Sequence, residues 1–231
     1  MKQEIRHFLG MSCAFLIAFV LFTLAVYFVD VKPIGPHNSE VGLATLNRAV
    51  HDAIGMHGTA YTISKLIGYL CFAICGFFAA IGAMQFLTTK KLSAVDGDIR
   101  ALGLIYVITA AIYVLFEILI INYRPVVRDE GLEASYPSSH TMIILVVLGT
   151  LAVFLQRKVR VSMIRTVAVM ITDVIAATGV MARLLSGCHW LTDVLGSIIL
   201  SISLIMLHCA FVCIFGKSKL KKSRKKKKNN S

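Results

Sequence analysis

Apolar residues run along this chain in long unbroken stretches rather than in the short periodic clusters of a soluble domain. Uncharged runs cover 8–29, 66–89, 101–116, 134–156 and 194–216, and a sixth, 166–182, is broken only by Asp173. About 20 apolar residues of helix cross the ~30 Å hydrocarbon core of a bilayer. Four runs suffice alone, and 101–116 and 166–182 suffice once flanking apolar residues are added. The pattern predicts an all-α polytopic membrane protein: a six-span bundle over residues 1–216 and a polybasic tail over 217–231. The first run follows Lys2 and Arg6 as a signal peptide would. Its length exceeds the ~7–15 residues of a signal core, and no small-x-small cleavage site follows, so it reads as a retained helix. In the loop 31–58, Leu43, Leu46, Val50 and Ile54 recur at helical spacing with Asn47, Arg48, His51 and Asp52 between them. That spacing predicts a short amphipathic helix at the membrane interface, either roofing a lipid site or simply packing.

Composition adds that nothing is left over for a soluble domain. The 231 residues are 57% hydrophobic and only 16% charged, with mean hydropathy +0.78. Charge then orients the bundle. With six spans both termini share a side, and that side carries eighteen of the twenty-four Lys and Arg residues. By the positive-inside rule it is cytoplasmic. The other face holds Lys32, Arg48, Lys65, Arg124, Arg128 and Arg183. Most of the net charge of +12 lies in the tail KSKLKKSRKKKK, which can attract anionic lipid head groups or serve only to set topology. With no aromatics and no folded module there, nucleic acid is excluded as a partner, and no obligate protein partner is indicated. Of six cysteines, Cys13, Cys71, Cys75, Cys209 and Cys213 fall inside spans as small apolar residues, and only Cys188 has chemistry for neighbours.

That chemistry sits in two outer segments, NYRPVVRDEGLEASYPSSH (122–140) and ARLLSGCHWLTD (182–193). Ionisable groups at membrane depth are costly and therefore functional candidates. Pro137-Ser138-Ser139-His140 opens the fourth span, and a helix N-terminus with serine hydroxyls suits an anion such as phosphate. Arg124 and Arg183 are forked cations that fit phosphate oxygens. His189 and Asp193, four apart, share a face if helical, so the carboxylate can orient the ring and leave its far nitrogen as a nucleophile. His140 then serves as general acid. Each residue alone is commonplace; three helix ends converging on one membrane face are not.

These blocks resemble the type 2 phosphatidic acid phosphatase superfamily, which includes glucose-6-phosphatase and vanadium haloperoxidases and carries KxxxxxxRP, PSGH and SRxxxxxHxxxD. Here they read EILIINYRP (117–125), PSSH (137–140) and ARLLSGCHWLTD. The resemblance, extended by the six-span layout to the bacterial lipid phosphatases, implies metal-independent and cofactor-free hydrolysis of a lipid phosphate or pyrophosphate at the outer face. It implies His189 as the phosphohistidine nucleophile, Asp193 orienting it, His140 as acid, and Arg124, Arg183, Ser138 and Ser139 on the phosphate. Undecaprenyl pyrophosphate comes first as substrate, then phosphatidylglycerophosphate and phosphatidic acid. Three positions depart: Glu117 stands at the family lysine, Ser139 at glycine and Ala182 at serine. Glu117 calls for a partner, and Arg124 or Lys65 is expected; Lys65 could supply the missing cation. Glu117 also sustains an alternative reading, a non-catalytic lipid-phosphate binder or transporter on the same fold.

Overall fold

A computed structural model describes residues 2–127 and 131–228, with side chains to residue 216. The expected six spans are present as α1 (Lys2–Phe28), α3 (Gly58–Thr89), α4 (Gly97–Ile118), α5 (Ser139–Lys158), α6 (Ser162–Leu185) and α7 (Leu191–Lys228), with the short α2 (Ala44–Ile54) between the first two. Each long helix is apolar enough to cross a membrane, and the chain is a multi-pass membrane protein. Among the described residues there is no β-strand, and isolated bridges join Lys32 to Val41 and Tyr123 to Ala134. Arg128 lies outside the described residues, as do the side chains of the basic tail.

The bundle is built around α5 and α7. α7 packs along α1 and against α4 and α5, while α5 is flanked by α3, α4, α6 and α7. One core cluster joins Phe19 and Val26 of α1, Ile105 of α4, Met142 and Val146 of α5, and Leu200 and Leu204 of α7 around the ring of Tyr136. Leu21, Phe72, Val107, Met163 and Val174 instead point outward, as suits helices whose surrounding solvent is lipid. Asp173 shares that outer surface, exposed on α6.

Polar contacts fix the helix ends. Asp96 caps α4 by accepting the Asp98 amide at 2.9 Å, and Arg157 and Lys158 at the end of α5 bind Asp98 at 3.1 and 2.6 Å. At the other end of the bundle, the Asp30 carboxylate binds the Lys32 ammonium and the Thr45 amide, which hold its pKa down to about 2.

α2 is helical as the spacing predicts, and one polar residue is buried on its inward face. Leu46 is exposed, and Asn47 is fully buried, four residues from Leu43 and from His51. The reason is polar complementarity. Asn47 Nδ2 donates to Gly42 O (2.8 Å) and Thr192 Oγ1 (2.9 Å), and its Oδ1 accepts the Thr192 amide (3.1 Å). So α2 is clamped onto the start of α7. Asn47→Ala strands these partners in a dry site, a cost of about 1–3 kcal/mol, and a thermal unfolding scan in detergent should show a clear fall in Tm. Gly42 beside it has no room to change, because a β-carbon there would lie 1.4 Å from the Val26 carbonyl oxygen. Gly42→Ala is expected to unseat α1 from the loop and yield polydisperse protein.

Candidate active site

At the end of the bundle opposite the chain's N-terminus, three segments meet: the loop between α4 and α5, the start of α5, and the turn joining α6 to α7. The turn is forced by Gly187, whose φ of 68° is a left-handed conformation; a side chain there would meet Met56 and the Gly55 carbonyl. It brings Arg183 in the last turn of α6 and His189 to the same point. Arg183 is fully buried, with its guanidinium 5.9 Å from the ring of Tyr61. Its Nη2 lies 3.1 Å from His189 Nε2 and 3.4 Å from His140 Nδ1. One cation therefore touches both histidines that the sequence singles out.

His189 does not lie on a helix, as its spacing from Asp193 suggested. α7 begins at Leu191, and Asp193 in its first turn folds back so that Oδ2 accepts the Trp190 amide at 2.9 Å, capping the helix. The two side chains still approach, with His189 Nδ1 3.5 Å from Asp193 Oδ2. Ser135 stands at the same junction, its Oγ 3.1 Å from His189 Nδ1 and hydrogen-bonded to Asp193 Oδ2. Asn122 stands close by in the same loop, its Oδ1 accepting the Gly42 amide at 3.2 Å. Asp193, His189 and Arg183 are all nearly or wholly buried, so these contacts form in a medium where charge interactions are strong.

Ser138 is buried and caps α5, accepting the Thr141 amide at 3.4 Å and the Thr141 hydroxyl at 3.0 Å. Its own hydroxyl proton is left to donate. Its backbone ties the second block to the third, since the Ser138 amide donates to Asp193 O (3.1 Å) and Ser197 Oγ donates to Ser138 O (2.9 Å). Ser139 and His140, one residue further, are half-buried and face a mostly apolar cavity of about 310 Å³ between α3, α4 and α5, walled by Phe72, Tyr106, Tyr113 and Ile143. Gly68 of α3 leaves room for the His140 ring, whose Cδ2 would be 3.7 Å from a β-carbon there. On the opposite side, Val50, His51 and Ile54 of α2 close over His189, so α2 roofs the site, and His51 meets the Trp190 ring edge-on at 5.3 Å.

Arg124 is buried in the loop and pairs with Glu133 at 3.1 Å, while its Nε donates to Ala134 O. It is thus held by Glu133, not by Glu117. α4 ends at Ile118, which places Glu117 at the end of that helix, with Tyr113 one turn earlier. Glu117 is exposed but also reaches a small pocket shared with Ser135, Pro137 and Ser139. Lys65 is exposed on α3, its ammonium 5.9 Å from the ring of Tyr69. It is not among the groups gathered at the histidines.

Sequence reasoning passed over Ser135, Asn122, Tyr61 and Glu133. Ser135 and Glu133 lie inside the quoted segment 122–140, but only the folded loop brings them to Asp193 and Arg124. Tyr61 sits in no block at all. Among the described residues, no three His, Cys, Asp or Glu side chains gather so as to hold a metal ion.

Residues 117–215 match the model of the PAP2 superfamily. Among solved structures, the chain is similar to the crystal structure of the first transmembrane PAP2 type phosphatidylglycerolphosphate phosphatase from Bacillus subtilis. The two are 20% identical with a TM-score of 0.57, over 85% of this chain and 93% of that one. No curated protein matches the chain.

Proposed function

We propose that this chain, a member of the PAP2 superfamily through its residues 117–215, is a phosphatase that hydrolyses lipid phosphates through a phosphohistidine at His189. Family and fold support phosphatase activity on lipid phosphates in general. The finer reading rests on one observation: Arg183 meets both His189 and His140, and His140 stands at the head of an apolar cavity between spans. This observation supports a reading in which phosphate-binding charge lies beside a nucleophile and an acid, with room for a lipid chain below.

In this mechanism the phosphate enters beside Arg183 and takes over hydrogen bonds that the guanidinium now gives to the rings. Arg124, Ser138 and Ser139 complete the grip. His189 Nε2 attacks phosphorus and the bond from phosphorus to the leaving oxygen breaks. The imidazolium of His140 gives that oxygen its proton. Now neutral, His140 takes a proton from water as the water attacks the phosphohistidine, releasing phosphate and restoring Nε2. The charge pattern supports an outward-facing site, since it lies at the end away from the basic termini. Undecaprenyl pyrophosphate is our first substrate candidate, then phosphatidylglycerophosphate, the substrate of the similar crystallised enzyme, and phosphatidic acid.

The test is phosphate release by the detergent-purified chain in EDTA from a polyprenyl pyrophosphate, phosphatidylglycerophosphate and phosphatidic acid. Release that persists in EDTA is expected, and the fastest lipid names the class. Folded protein that binds these lipids yet releases nothing would instead establish the non-catalytic binder.

A further inference from the structure

We propose that Ser135 is a positioning residue that couples Asp193 to His189 through its hydroxyl and thereby sets which ring nitrogen can react. The proposal rests on the reading of His189 as nucleophile. Ser135 is 2% exposed, in the segment that leads into α5. The direct approach of His189 Nδ1 to Asp193 Oδ2 is 3.5 Å, too long for a good N–H···O bond. The serine hydroxyl closes the gap, with Oγ 3.1 Å from Nδ1 and hydrogen-bonded to Oδ2.

Counting protons fixes the direction of each bond. Arg183 has donors only, so at 3.1 Å His189 Nε2 must accept. The proton of the neutral ring is then on Nδ1, where it is donated to Ser135 Oγ. The single serine proton is left for Asp193 Oδ2, which as a carboxylate only accepts and also takes the Trp190 amide. The ring N–H, the serine hydroxyl and the Trp190 amide each have an acceptor in this arrangement, and it leaves the Nε2 lone pair on the side of the arginine and of His140. When Nε2 bonds to phosphorus the ring becomes cationic with Nδ1–H in place, and the serine carries the stabilising field of Asp193 to it. Without the hydroxyl, the ring loses the partner that holds both its tautomer and its angle. Partners that orient metal-bound histidines are worth about 10- to 100-fold in affinity or activity, and the same scale is expected here.

The experiment measures kcat and KM for phosphate release in the full chain with Ser135→Ala, Asp193→Asn, the double variant and His189→Ala. The expected result for Ser135→Ala is a kcat lower by about 10- to 100-fold with KM changed by less than roughly threefold. The double variant should be no slower than Asp193→Asn alone, because the two residues form one relay. Ser135→Thr, which keeps the hydroxyl, should outpace Ser135→Val of the same shape; this pair carries the test even where Ser135→Ala does not fold. A wild-type kcat in Ser135→Ala, losses that multiply in the double variant, or equal rates for threonine and valine would overturn the relay while His189→Ala stays inactive. Full activity in His189→Ala would remove the nucleophile reading itself, and the relay with it.

Discussion

Alanine at position 189 should lower phosphate release by roughly 10⁴-fold or more, the scale of losing a covalent nucleophile. The expectation follows from how little else is placed to replace it. His189 alone presents a ring nitrogen to Arg183 with a buried carboxylate and hydroxyl behind the other nitrogen. Cys188 next to it has its thiol directed at the Ser186 carbonyl, 3.7 Å away within the turn. His140 touches the same arginine through Nδ1 but faces the apolar cavity, where the proposed mechanism has the leaving oxygen. The measurement is phosphate release together with acid trapping of labelled enzyme. Wild type should yield an acid-labile, alkali-stable phosphoprotein, and His189→Ala none. A variant that still turned over at a tenth of the wild-type rate would rule the covalent path out.

Arg183→Lys should be nearly as damaging, a fall of about 1,000-fold carried mostly by kcat. Charge is conserved by this change, so the loss isolates geometry. Arg183 is the largest fully buried side chain, and one of its nitrogens serves two histidines on different segments. A lysine offers a single point of charge and no planar fork to hold a phosphate while remaining aligned with both rings. Arg183→Ala should in addition lower Tm, because it opens a void beside Tyr61 and the two rings. Rates for Arg183→Lys within tenfold of wild type would show that the cation matters only as charge.

Much of this was legible in the chain. Six spans followed from uninterrupted apolar runs, because hydrocarbon leaves an exposed backbone no alternative to helix. Arg183, His189, Asp193 and His140 were legible because charge at such depth needs a reason. What escaped belongs to the non-helical parts. Helical spacing suggested that His189 and Asp193 pair across one turn, whereas α7 starts after His189 and the loop serine fills the gap. Arg124 or Lys65 was the partner expected for Glu117, whereas the chain leaves the helix after Ile118 and the loop gives Arg124 to Glu133. On α2, the periodicity predicted the helix but not that Asn47 would be buried, which it is because Thr192, 145 residues away, together with Gly42 offers it three matched bonds. Periodicity in a short segment is silent about partners that distant.

The packing of α1 along α7 also bears on how the protein is made. α1 is synthesised long before its main neighbour, α7, leaves the ribosome. Until then Ser12, whose carbonyl and hydroxyl both meet Ser203 in the finished bundle, has no protein partner from that helix. Membrane insertion and assembly are therefore separate events here. A ribosome stalled before α7 leaves the site without Asp193 and α1 without its seat. Such a nascent chain should be handed to membrane proteases rather than persist as a partly active enzyme.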